Sequence, residues 1–163
     1  LMEELATWCE SRGAQAVRLT QLASNVKAFA LYASLGYEAR LQLAVVRGRV
    51  RFEAPGVCVR LAAPEDAAAC AGLYRQVTGE RRAAEIAGSL RAPGAAPPLC
   101  AMAGGELVGY STGFATSGHA VSRSVPVLLA LLAAASGELQ GASGPGSAPP
   151  LAMVPSQLYP DLL

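Results

Sequence analysis

The chain has 163 residues, of which 52% are hydrophobic and 15% charged, and its formal net charge at pH 7 is +1. This length allows one ordinary domain or two incomplete ones, and the apolar content excludes a disordered chain. Nucleic acid is not an expected partner, because Arg47, Arg49 and Arg51 alternate along an apparent strand and indicate only its solvent side. No membrane partner is expected either, since the longest apolar run, residues 127–135, is too short to span a bilayer.

The four cysteines, Cys9, Cys58, Cys70 and Cys100, are scattered, and no two of them stand in a CxxC spacing. His119 is the only histidine. A metal site is therefore not expected. Cysteines in apolar contexts are usually buried thiols, which indicates a reducing, cytoplasmic location.

The first 22 residues predict a helix and a strand. Leu1, Leu5 and Trp8 follow the i, i+4, i+7 spacing of an amphipathic helix, and Gly13 is a residue that ends helices in the left-handed conformation. Residues 16–22 then alternate as a strand does, with Val17 and Leu19 on one face.

A second helix and strand follow. Ser24 or Asn25 is a suitable N-cap, Gly36 ends the helix, and Ala28, Leu31 and Leu35 form its predicted inner stripe. From Tyr37 onward the chain alternates cleanly to about residue 45, with Leu41 and Val45 among the residues predicted to point inward.

Residues 47–56 are interpreted as a connector that breaks at Pro55-Gly56. Pro64, Glu65 and Asp66 predict a helix start, because proline suits the first helical position and acids suit the positive end of the helix dipole. Around Gly104-Gly105 we expect a tight hairpin turn. After the connector we expect a strand at 57–61, helices at 64–77 and 82–90, and a loop at 92–98. Two hairpin strands are predicted at 99–103 and 106–115. A helix at 125–140, a mobile loop at 141–149 and a strand at 151–154 follow.

The run Asn-Val-Lys-Ala-Phe-Ala-Leu-Tyr-Ala-Ser-Leu-Gly-Tyr at residues 25–37 resembles the C-terminal motif of the GNAT N-acetyltransferases. In that family the motif marks the helix beside the acetyl-CoA thioester. Gly13-Ala14 and residues 17–20 resemble the strand that leads into it. Ser34 departs from the family, which often has lysine or arginine there.

The rest of the chain is similar to the opening half of another GNAT domain. Residues 59–61 and 64–66 resemble its first strand and first helix, and residues 105–110, Gly-Glu-Leu-Val-Gly-Tyr, resemble its hairpin. The resemblance implies an α/β fold with a mixed sheet flanked by helices, in two incomplete GNAT-like units. These would be the end of one domain at residues 1–46, a connector at 47–56, and the start of a second domain at 57–163.

The pyrophosphate-binding loop of the family is not found within the chain. In the first unit it would lie upstream of Leu1, and the corresponding place in the second unit, residues 117–124, contains one glycine. Repeated glycines let backbone N–H groups approach phosphate. We therefore expect that the second unit is degenerate for CoA binding and that the isolated chain is inactive.

The resemblance implies an acetyl-CoA-dependent N-acetyltransferase, with acetyl-CoA as co-substrate and a small-molecule or peptide amine as acceptor. Tyr32 would be the catalytic acid, while Asn25 and Phe29 would contact the cofactor. Each residue also has a purely structural interpretation: Tyr32 with its ring in the core and its hydroxyl at the rim, Asn25 as an N-cap, and Phe29 as a core residue.

The alternative function is a non-catalytic GNAT-like scaffold or ligand-binding module. His119 is interpreted as a surface or loop residue and is not a candidate base. The acceptor, the general base, the acyl-chain preference and the oligomeric state are not indicated by any sequence feature.

Overall fold

The computed structural model describes residues 1–14, 16–94, 96–114, 118–138 and 151–155, and the chain divides into two compact units, Leu1–Leu41 and Gln42–Leu163. The division falls a few residues before the predicted connector. The predicted mobile loop at residues 141–149 lies outside the described residues.

The first unit contains two helices, α1 (Met2–Ser11) and α2 (Val26–Ser34), as the sequence predicts. Gly13 follows α1 with a φ of 78°, the left-handed conformation expected of a residue that ends a helix. At the start of α2, the Asn25 side chain accepts a hydrogen bond from the backbone N–H of Ala28 at 3.1 Å. The predicted N-cap is therefore confirmed, with Asn25 rather than Ser24 in that position.

The strand predicted at residues 16–22 is not formed, and that prediction is wrong. The alternation behind it persists, because Val17 and Leu19 are half-buried while Arg18 and Thr20 are exposed. A strand also requires a neighbour that completes its ladder of hydrogen bonds, and this segment forms no such ladder with any described strand. Alternation alone is therefore not sufficient for a strand.

Neither helix of the first unit buries a residue completely. Leu31, predicted to lie in the inner stripe of α2, is 52% exposed, and Trp8 of α1 is 54% exposed. The Arg12 guanidinium lies 4.3 Å from the centre of the Trp8 ring and covers part of it. Two short helices offer too little surface to cover each other's apolar faces. The hydrophobic periodicity therefore predicted the two helices correctly, but the predicted burial of Leu31 is wrong.

The second unit contains six strands and three helices within its described residues. They are β1 (Leu43–Arg47), β2 (Val57–Leu61), α3 (Ala67–Thr78), α4 (Ala83–Arg91), β3 (Leu99–Ala103), β4 (Glu106–Ser111), β5 (Ala120–Ser122), α5 (Val125–Ala133) and β6 (Leu151–Pro155). A 3-10 turn, Pro64–Asp66, precedes α3, and a π-helical turn, Ala134–Glu138, follows α5. One antiparallel sheet has the order β2-β3-β4-β5, and β1 pairs with β6 in a separate antiparallel ribbon.

The α/β class is confirmed, but the expected mixed sheet is not, because every pairing between described strands is antiparallel. β2, β3 and the Gly104-Gly105 turn lie where the sequence predicts them. The strand expected at residues 37–45 begins only at Leu43, and Val45 is exposed instead of inward-facing. The pairing of β1 with β6, more than a hundred residues away in sequence, determines where β1 begins and ends and which of its side chains are exposed.

Helices cover both faces of the four-stranded sheet. Alternate residues of β3 face opposite sides: Cys100 packs in the cluster formed with α3 and α4, whereas Leu99 and Ala101 pack in the cluster that contains α5. The sheet is thus the middle layer of three.

An ion pair anchors the start of α3 to β2. The two terminal nitrogens of the Arg60 guanidinium, Nη1 and Nη2, donate to the Asp66 carboxylate at 2.7 Å, and the backbone N–H of Ala63 donates to it at 2.8 Å. These hydrogen bonds, the one from Arg60 above all, lower the pKa of Asp66 to about 2.

Replacement of Asp66 with alanine is expected to lower the free energy of unfolding by about 1–3 kcal/mol, because it removes three charge-assisted hydrogen bonds. The contribution of Asp66 also depends on pH. The unfolded carboxyl takes up its proton near pH ~4, whereas the folded one stays charged to about pH 2, so this stability is complete above pH ~4 and declines as the pH falls to about 2. Chemical denaturation at pH 7 and pH 3 measures both effects. Glu65→Ala, at the exposed neighbouring carboxylate, is the control and should change stability by less than about 0.5 kcal/mol.

Candidate functional site

The three candidate residues of the acetyltransferase motif lie on one face of α2. Phe29 follows Asn25 by four residues and Tyr32 follows it by seven, and in a helix these spacings bring side chains onto the same side. Local helix geometry alone is enough to align them.

Asn25 begins this face as the N-cap. Its Oδ1 atom is used in the bond from Ala28, and the cap leaves the two Nδ2 protons for another acceptor. The structural role is therefore established, and it is compatible with a second role in holding an amide-bearing ligand.

Phe29 and Tyr32 differ in burial. Phe29 is 49% exposed and is not the core residue that the structural interpretation requires. Tyr32 is half-buried, and its ring lies edge-on to that of Tyr37, with centroids 5.8 Å apart and an angle of 61° between the ring planes. The contact holds the Tyr32 ring against its own unit.

A second group of polar side chains, in the other unit, was missed in the sequence interpretation. His119 Nε2 lies 2.9 Å from the Tyr110 hydroxyl, and its Nδ1 lies 3.4 Å from Thr112 Oγ1. The imidazole lies edge-on to the rings of Tyr74 and Tyr110, with centroids 5.5 Å away in both cases. His119 lies in a loop, as expected, but its side chain is only 14% exposed, so the alternative of a surface residue is wrong.

The backbone explains why His119 turns inward. The Thr112 N–H donates to the His119 carbonyl at 2.9 Å, and the His119 N–H donates to Thr112 Oγ1 at 3.0 Å. These two bonds continue the pairing of β4 with β5 beyond Ser111. The sequence feature that indicates this group is the spacing of Tyr110 and Thr112. Two polar residues that are two positions apart lie on the same face of a strand.

Burial lowers the pKa of His119 to about 4 and keeps the imidazole neutral at pH 7, and the nearby Arg82 adds to this effect. The Glu85 carboxylate, whose Oε1 is 3.7 Å from His119 Nδ1, would raise this pKa. Its other oxygen, however, pairs with Arg82 Nε at 2.9 Å. Because Arg82 balances the negative charge of Glu85, the loss of hydration on burial determines that the pKa of His119 is lowered. Burial likewise raises the pKa of Tyr110, so the pair is uncharged.

His119 predicts an acid-dependent loss of stability. Its folded pKa of about 4 lies below the ordinary ~6.5, so the unfolded state binds more protons between these values, and the free energy of unfolding falls as the pH falls through this window. We expect a loss of about 2–3 kcal/mol between pH 7 and pH 4 that is absent in His119→Gln. Urea denaturation of both proteins across this range measures it. Equal slopes in the two proteins would exclude a buried neutral histidine.

The remaining expectations concern metals and membranes. The described residues contain no group of three or more His, Cys, Asp or Glu side chains that could hold a metal ion. Within the same part of the chain, no helix is both long and apolar enough to cross a bilayer.

No protein-family model, curated protein or solved structure matches the chain, so the function has to be inferred from its own residues.

Proposed function

We propose that this chain belongs to a GNAT-type N-acetyltransferase that moves the acetyl group of acetyl-CoA to an amine. The observation that carries the proposal is the face of α2, where Asn25, Phe29 and Tyr32 combine a helix cap, an exposed aromatic ring and a phenol within two helical turns. Asn25 and Tyr32 are positions of the motif at residues 25–37, and Phe29 lies between them.

These side chains have complementary tasks in the proposed reaction. The Asn25 Nδ2 group would donate to a carbonyl of the pantetheine arm, and the partly exposed Phe29 ring would cover its apolar segment. The neutral amine attacks the thioester carbonyl, the C–N bond forms, the C–S bond breaks, and the nitrogen releases one proton to water, which is available to reprotonate Tyr32 afterwards. Tyr32 would then give its phenolic proton to the departing thiolate, since a phenol (pKa ~10) and a thiol (pKa ~8.5) are close enough in acidity for exchange.

The order of elements in the second unit supports the proposal. The resemblance calls for a strand, a helix that begins at Pro64-Glu65-Asp66, and a hairpin at residues 105–110. The unit has β2, the 3-10 turn leading into α3, and the β3–β4 hairpin in that order along the chain, and the three strands belong to one sheet. A GNAT-like second unit accounts for this order.

The hydrogen bonds around β5 support a second unit that does not hold CoA. Where the family has its phosphate loop, the N–H of His119 donates to Thr112 Oγ1 and the N–H of Arg123 donates to the Val108 carbonyl at 2.9 Å. Amides engaged in this way are not free to bind a pyrophosphate. In this proposal the first unit carries the chemistry, and the second is a structural or substrate-shaping partner. The location would be cytoplasmic.

The test is an assay of the protein expressed from its complete natural reading frame, beside the 163-residue chain. Release of CoA thiol is followed with acetyl-CoA and a panel of small-molecule and peptide amines. We expect amine-dependent release by the complete protein. If the complete protein shows no release with any amine and no calorimetric binding of acetyl-CoA, the scaffold alternative replaces the enzyme.

A further inference from the structure

The second unit buries two cysteine side chains against each other. Cys70, in the first turn of α3, and Cys100, the second residue of β3, both have 0% exposure, and their sulfur atoms are 3.9 Å apart. All four cysteines of the chain are free thiols. Neither catalysis nor CoA binding in the proposed function uses this pair.

We propose that Cys70 and Cys100 are a modification site at which a peroxide converts the two buried thiols into an intramolecular disulfide that joins α3 to β3. A disulfide requires its sulfur atoms to be about 2.05 Å apart, so each sulfur has to move by about 1 Å. Rotation about the Cα–Cβ bond of each cysteine moves its sulfur atom by this amount.

The surroundings favour Cys70 as the first sulfur to react. When Cys100 donates its S–H to Cys70, it stabilises the Cys70 thiolate and lowers the pKa of that thiol, while the pKa of Cys100 rises. Burial opposes this effect, and the charges of Asp66 and Arg60, which pair with each other, act on Cys70 in opposite directions, so the hydrogen bond from Cys100 decides the lowering of the pKa. The thiolate is the nucleophilic form of cysteine.

The chemistry balances with hydrogen peroxide as the oxidant. The Cys70 thiolate attacks one peroxide oxygen, the O–O bond breaks, and hydroxide leaves with a proton as water, which gives a sulfenic acid. The Cys100 sulfur then attacks the Cys70 sulfur, loses its proton, and expels the oxygen as a second water. Two thiols lose two electrons in total, and the peroxide gains them.

Burial sets the rate of this reaction. Peroxide is only slightly larger than water, but it reaches Cys70 only when the first turn of α3 opens locally. Cys58, which is exposed on β2, should therefore be oxidised sooner than the pair. The two experiments below separate the buried pair from Cys58.

The first experiment uses the unsubstituted chain under native conditions. It is treated with hydrogen peroxide, unfolded, alkylated and digested without reductant. We expect a peptide that links Cys70 to Cys100 and the joint loss of both thiols. Free Cys70 and Cys100 thiols after Cys58 has been fully oxidised would overturn the proposal, and so would a link that forms only in denaturant or between chains.

The second experiment uses Cys9→Ser/Cys58→Ser, in which only the buried pair remains. A disulfide that closes a loop of this length is expected to raise the Tm by about 10 °C after oxidation, and dithiothreitol should reverse the rise. Adding Cys70→Ala to this background removes the partner and should abolish the shift. Circular dichroism before oxidation shows that each variant is folded. An unchanged Tm in the folded two-cysteine variant would contradict the cross-link. Neither outcome depends on acetyltransferase activity.

Discussion

Replacement of Tyr32 with phenylalanine is expected to lower the kcat of the proposed acetyltransferase by about 100-fold or more, because general-acid assistance is typically worth 10²–10⁴ in rate. The substitution removes only the hydroxyl. The ring should keep its edge-on contact with Tyr37 at 5.8 Å, and stability should change little. Stopped assays of CoA release at saturating acetyl-CoA, in the protein from the complete reading frame, measure kcat directly.

Tyr37→Phe is the matched control for this experiment. The Tyr37 hydroxyl is buried and has no hydrogen-bond partner among the described residues, so its removal should not reduce stability, and kcat should remain that of the parent. A normal kcat in Tyr32→Phe would remove Tyr32 from the mechanism. Equal losses in both variants would indicate that the effect is not specific to the Tyr32 hydroxyl.

Gly109→Val is expected to destabilise the second unit by about 3 kcal/mol or more through overpacking. A Cβ atom at Gly109 would lie 2.6 Å from Val127 Cγ1 and 3.2 Å from Leu131 Cδ1. Both neighbours are buried on α5, and a valine would add two methyl groups to this contact. β4 and α5 approach each other closely because this position has no side chain. Chemical denaturation of the parent and the variant measures the loss.

Gly72→Ala is the control, because this glycine lies within α3 and a Cβ atom there meets nothing within 4 Å. Alanine in a helix is more favourable than glycine by about 0.5–1 kcal/mol, so this variant should gain stability. If Gly109→Val were as stable as the parent, the close approach of β4 to α5 would not exist.

Features that depend on neighbouring residues could be predicted from the sequence. The cap at Asn25, the end of α1 near Gly13 and the turn at Gly104-Gly105 all rest on hydrogen bonds or backbone angles within a few residues. The shared face of Asn25, Phe29 and Tyr32 likewise follows from helical spacing alone. These features could be predicted because their partners are close in the chain.

Other features were decided by partners far along the chain. Residues 16–22 alternate as well as many strands do, yet they join no sheet formed by the described residues, while β1 takes its bounds from β6. The proximity of Cys70 to Cys100 depends on how α3 lies on the sheet. The burial of His119 depends on Tyr74 of α3, a residue from a distant part of the chain whose ring lies edge-on to the imidazole. In each case the stabilising contact joins segments whose separation in sequence exceeds any local pattern, so only the tertiary structure could decide it.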